Sequence, residues 1–191
     1  MSFALVSAGS VASSLSPAFG ATTGSGNLLT AWMFSNSNSG TAPYSTGASG
    51  WNAVVQWGAS FVWGAIYYKA NSSAGETAPV FTASGTSFSF SMLAEFSGGA
   101  TVSVSDQAGN GGGGGGATQI ATCGGNDGQS GDLIVFGAGW NGGAVTPGVT
   151  NTMTDGSGAS VSPTAYTNAA TGTGTFYDFM WGVAGAGAVS A

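Results

Sequence analysis

Residues 87–96 read Ser-Phe-Ser-Phe-Ser-Met-Leu-Ala-Glu-Phe. Phe88, Phe90, Met92, Ala94 and Phe96 fall on one side of a two-residue repeat, and Ser87, Ser89, Ser91 and Glu95 fall on the other. Side chains of a strand alternate between its faces, so this period predicts a half-buried β-strand, with Glu95 on a Ser face that is either solvated or turned between sheets. At about 3.3 Å per residue it would run roughly 30 Å, long enough to sit centrally in a sheet. The other apolar runs have to pack around it.

Those runs are short and bounded by turn-forming residues. Strands are predicted over 3–7, 27–35, 51–57, 61–69, 78–82, 101–105, 118–123, 132–139, 149–154, 159–162 and 173–183. Between them lie loops rich in Gly, Pro, Asn and Ser, of which 35–50 is the longest turn-forming stretch. Residues 58–60 read as the loop of a hairpin joining 51–57 to 61–69. No stretch shows a capped helical period. The pattern predicts an all-β chain, a two-sheet antiparallel β-sandwich of jelly-roll type with roughly ten to twelve strands. An internal echo supports two related sheets: Gly24-Ser-Gly-Asn-Leu-Leu29 against Gln129-Ser-Gly-Asp-Leu-Ile134. All-β folds of this length often remain single, so one domain over 1–191 is expected.

Charge narrows the function classes. Only 4% of the 191 residues are charged, with one Lys or Arg, seven Asp or Glu, no His and a net charge of −6. An average soluble domain carries about 25%. Nucleic-acid binding draws on many cations neutralising phosphates, so it is not expected, and neither is binding to an anionic membrane surface. No apolar run reaches the roughly 18 residues of a membrane-spanning helix. The N-terminal apolar stretch lacks a positive leader and is interrupted by Gly9 and Ser10, so synthesis in a cytoplasm is expected.

Catalytic parts are sparse. With no His there is no ordinary triad, and Cys123 is alone, which reads as a buried inert thiol. Glycoside hydrolysis needs two carboxyls roughly 5–9.5 Å apart, whereas most of the acids sit at turns or strand ends. No enzymatic activity and no cofactor are expected. Residues 126–132 gather oxygen ligands as a calcium loop does, but the closing bidentate Glu is missing, so no metal is assigned. The run of glycines at 109–116, interrupted by Asn110, lacks the Lys-Ser/Thr of a phosphate loop and reads as a Gly-rich loop. Glu95 and Asp178 are the acids inside strong strands. A pairing of Glu95 with Lys69, the one cation, is the sharper expectation there.

Aromatic residues remain. Phe61, Trp63, Ala65 and Tyr67 share one face of a strand, as core residues do, with Ile66 and Tyr68 on the other. Trp51, Trp57 and Tyr68 are the candidates for a glycan or subunit contact, subunit contact being favoured.

Several of these segments occur together in a familiar order. Gly26-Asn27-Leu28-Leu29, Trp51, Ile66-Tyr67-Tyr68-Lys69-Ala70-Asn71, Ala94-Glu95-Phe96-Ser97-Gly98 and Gly131-Asp132-Leu133-Ile134-Val135 follow one another along the chain. In this the chain resembles the Gly/Ser/Thr-rich β-sandwich accessory proteins of tailed-bacteriophage virions, minor tail or head-decoration proteins. The resemblance implies a structural subunit of the virion tail or capsid surface, made in the host bacterial cytoplasm and without catalytic residues. Its partners would be other virion proteins and copies of itself in a closed homo-oligomer such as a trimer. The alternative is a carbohydrate-binding adhesin or receptor-binding domain that recognises a host cell-surface glycan.

Overall fold

The computed structural model describes residues 3–37, 44–59, 62–98, 132–141, 153–154, 160–161, 164–171 and 175–183. Among them every ordered element is a strand and every pairing is antiparallel. The strands are β1 (Ala4–Ala8), β2 (Leu28–Ser37), β3 (Ser45–Thr46), β4 (Asn52–Ala59), β5 (Val62–Lys69), β6 (Phe81–Thr82) and β7 (Thr86–Ser97). They continue with β8 (Leu133–Asn141), β9 (Met153–Thr154), β10 (Ser160–Val161), β11 (Thr164–Thr171) and β12 (Thr175–Val183). The chain divides into two compact units, Ala4–Val104 and Met1–Phe3 with Ser105–Ala191.

In Ala4–Val104 five strands form one sheet in the order β1-β7-β2-β5-β4, beside a two-stranded ladder of β3 and β6. The alternating stretch is β7, the longest strand described, and it pairs with β1 on one side and β2 on the other. Residues opposite one another across an antiparallel pair share a face, so the register assigns both faces of the sheet. One face carries Ala31 and Met33 of β2, Ala65 and Tyr67 of β5, and Leu93 of β7. Tyr44 and Phe81 close over it as a buried cluster, and Leu15, Phe19, Trp51, Trp63, Ala78 and Ala83 pack at its margin. The loops between strands therefore supply the lid of this core. Tyr67 and Phe81 meet edge-on with centroids 5.2 Å apart, as do Trp51 and Phe81 at 6.0 Å. Such aromatic pairs add about 0.5–1.5 kcal/mol beyond the area they bury.

The opposite face is buried too. Trp32, Phe34, Ile66, Phe90, Met92, Ala94 and Phe96 are all sequestered from solvent. Strand β7 is thus covered on both sides, and of the two settings open to its Ser face the interior one is found: Ser91, Leu93 and Glu95 are fully buried. Alternation gives a two-residue period, but it cannot say whether the polar side meets water or other protein. Buried hydroxyls then need partners. Ser89 and Ser35 share a hydrogen bond of 2.8 Å, and Ser91 donates to the Ser14 carbonyl at 2.6 Å.

In the other unit β11, β12 and β8 form a three-stranded sheet in that order, and β9 pairs with β10. Met180 is buried against Ile134 and Phe136, which the register places on its face. Asp178 lies in β12 opposite Asn168 and Ala138. The two echoing sequences behave alike, since Leu28 opens β2 and Leu133 opens β8.

Element boundaries depart from the sequence reading in several places. Gly58 and Ala59, expected in the hairpin loop 58–60, instead extend β4 because they pair with Trp63 and Val62 of β5. Strand β2 runs on through Asn36 and Ser37 because β7 and β5 pair with its polar end. Ser45–Thr46, inside the predicted turn, pairs with Phe81–Thr82, to which the predicted strand 78–82 contracts. Thr164–Thr171, outside the predicted strands, pairs with β12 along its length apart from a register slip between Ala165 and Thr167. The predicted strands 101–105 and 118–123, the Gly-rich loop 109–116, Cys123 and the acids of 126–128 lie outside the described residues.

Candidate functional site

The densest polar chemistry described lies at one end of the five-stranded sheet, where segments 23–27 and 72–76 tie together. Gly26, with φ 79°, turns the chain into β2, a backbone region that glycine enters without strain. Asn71, at φ 55°, turns it out of β5. The two turns then exchange main-chain bonds: Gly26 N–H to the Ser72 carbonyl at 2.8 Å, Ser72 N–H to the Asn27 carbonyl at 2.9 Å, and Gly75 N–H to the Thr23 carbonyl at 2.9 Å. Hydroxyls complete the tie. Ser72 Oγ accepts from Asn27 N–H at 3.1 Å and donates to the Gly24 carbonyl at 2.7 Å. Thr23 Oγ1 accepts from Glu76 N–H at 2.7 Å and donates to the Ser73 carbonyl at 3.2 Å.

Two carboxylates clamp this tie. Glu95, fully buried in β7, takes the Gly24 N–H and the Asn27 side-chain N–H on Oε1, each at 2.7 Å. Its Oε2 accepts from the Ser7 hydroxyl at 3.3 Å. Glu76 takes the Ser73 N–H at 2.8 Å on one oxygen and the Lys69 ammonium at 2.9 Å on the other. Burial pushes the Glu76 carboxyl up, but the Ser73 N–H and the Lys69 charge outweigh it and hold the group below its ordinary value of 4.5.

The expected Lys69–Glu95 pair is therefore not formed. Both residues lie opposite Leu29, one on each flanking strand. Two inter-strand spacings, about 9.5 Å, separate their backbones. Lys69 turns outward to Glu76, while Glu95 is held by neutral donors. The donors of Glu95 come from a turn far away in sequence, so no local motif announced them. The chemistry available here is structural: acceptor oxygens, donor N–H groups and hydroxyls are matched to one another. Among the described residues no group of three or more His, Cys, Asp or Glu converges as metal ligands do.

A second polar hub links β4 to the core lid. The Gln56 side chain pairs with the Tyr44 main chain as a strand would, accepting its N–H at 3.0 Å and donating to its carbonyl at 3.2 Å. It also donates to the Tyr67 hydroxyl at 2.9 Å, which in turn donates to the Tyr44 carbonyl at 2.6 Å. Tyr44 donates its own hydroxyl to the Trp63 carbonyl at 3.0 Å. Burial raises the pKa of both tyrosines; for Tyr44 the Ser35 hydroxyl pulls partly the other way.

The three aromatic candidates do not converge. Trp51 packs at the margin of the Ala31–Met33–Tyr67 core, edge-on to Phe81. Trp57 and Tyr68 lie on the opposite face by register, Trp57 across from Gly64 and Tyr68 across from Thr30 and Asn52. Gly64 and Tyr68 are four residues apart on β5, about 13 Å along the strand. Each candidate is half-buried, and no shared stacking platform arises among them. The β4–β5 hairpin also holds a reciprocal arrangement that the sequence reading above does not include. The Trp57 indole lies on Gly64, and the Trp63 indole lies on Gly58, where an added Cβ would enter either ring. The doubled Trp-Gly at 57–58 and 63–64 was its signal.

Ser45, Thr82, Ala83 and Ser84 line an open, shallow depression. It carries hydroxyls and no ionisable group. Comparison with protein-family models, curated proteins and solved structures gives no match to this chain.

Proposed function

We propose that this chain is a structural subunit of a tailed-bacteriophage virion, an accessory protein of the tail or of the capsid surface. In this reading it is built as a two-sheet, jelly-roll-like β-sandwich that assembles with copies of itself and with other virion proteins. One observation carries the reading: 4% charged residues on an all-β chain. A free particle of this size keeps apart from its neighbours through surface charge, of which about 25–35% is the norm. Surfaces that end up inside an interface are depleted of charge instead. The described polar clusters fit the same role, because Glu95, Glu76, Ser72 and Thr23 bind segments of the chain to each other.

Antibody labelling of purified particles, made from the phage genome that encodes the chain, tests this. Gold on the tail or the capsid surface is the expected result, and particles that contain none of the chain by mass spectrometry would refute it.

A further inference from the structure

A sheet of finite width has two edges, and each presents unpaired N–H and C=O groups unless something covers it. The edges of the five-stranded sheet, β1 and β4, are treated differently. At β1 the register slips between Leu5 and Ser7, which bulges the strand at Val6. The backbone of 18–20 also presses close along it: an added Cβ at Gly20 would strike the Ala8 carbonyl, and one at Gly9 would strike the Ala18 carbonyl. At β4 no such cover exists among the described residues. None of the loop and turn main-chain hydrogen bonds described involves residues 52–59. Asn52, Ala53, Gln56 and Gly58 are exposed. Past the register slip between Ala53 and Val55, residues 55–59 keep an unbroken ladder with 62–66, so their outer side is regular as well.

We propose that the β4 edge is the surface through which two copies of this chain join, β4 antiparallel to β4 about a two-fold axis. The proposal rests on the self-assembly reading above and names its contact. Three features select a second copy as the occupant. The strand carries no charged residue and no Pro, two of the devices by which exposed edges repel their own kind, and its one bulge, at Val54, leaves 55–59 regular. An antiparallel pairing of identical edges is self-complementary and closes, so it consumes both edges and leaves none for further growth. Recognition of a foreign extended segment would call for flanking charges or side-chain pockets. Here Gln56, the long polar side chain of the strand, is committed inward to Tyr44 and Tyr67, and Ala53 and Gly58 offer little to read. The ladder is short, so the contact belongs with small interfaces, and a dissociation constant on the order of micromolar is expected for the pair alone.

Hydrogen exchange read by mass spectrometry on the full chain, across a concentration series followed in parallel by sedimentation, tests the proposal. The supporting result is protection of 52–59 that rises with the oligomer fraction. The double variant Asn52→Lys, Ala53→Lys alters only exposed positions; it should keep the wild-type circular dichroism spectrum and weaken self-association by about tenfold or more. An oligomer whose 52–59 amides exchange as fast as in the monomer overturns the β4 contact while leaving self-assembly intact. Wild-type affinity in the double variant does the same. A monomer at every concentration overturns the assembly reading itself, and the β4 contact with it.

Discussion

Glu95 shows how one residue can hold distant parts of the chain together. A buried carboxylate is tolerable when donors surround it, and its two short bonds anchor Gly24 and Asn27 to β7. Glu95→Ala would leave both half-buried donors without an acceptor, and a loss of about 2–4 kcal/mol in urea unfolding is expected. Glu95→Gln retains an acceptor oxygen for both, so its loss should be the smaller of the two; equal losses would show that the charge matters more than the acceptor geometry. The Trp-Gly pairs give a second test at this scale. Gly58→Ala drives a methyl into Trp63, which is packed against the core, and should cost about 1–3 kcal/mol. Gly64→Ala meets Trp57 on the edge strand, where the ring has more room to yield, and should cost less. A reversed order would contradict the packing of the two rings.

At the scale of elements, the tie between 23–27 and 72–76 couples the start of β2 to the end of β5, and Glu76 gives it a pH dependence. Its carboxyl is held below its usual value in the folded chain, so the stability it confers is present above about pH 4.5 and is lost as pH falls through the lower folded value. Lys69→Met removes one of the two causes, so stability between pH 3 and 5 should fall less steeply in the variant than in wild type. Parallel curves of melting temperature against pH would rule the pair out as a contributor. Much of this sheet was readable beforehand. Strands β2, β4, β5, β7, β8 and β12 follow from apolar runs and turn residues, and Phe88 to Phe96 alternate as read. What escaped was set by partners remote in sequence. Thr164–Thr171 has few large apolar residues and is a strand because β12 offers it a ladder. The Ser face of β7 is interior because loops fold over it, and no local period records that. Glu95 was legible as an unusual acid within a strand, whereas its donors at 24 and 27 were not.

At the scale of the molecule, the proposed assembly would join surfaces whose lack of charge suits them to meet other protein. Contacts of that kind should respond little to ionic strength, since screening acts on exposed charges and has few to act on here. Sedimentation of the full chain at micromolar concentration, run at low and at high salt, measures this most directly. A concentration-dependent oligomer with the same sedimentation coefficient in both salts is the predicted result. A monomer throughout, or an oligomer that dissolves when salt is added, would contradict it.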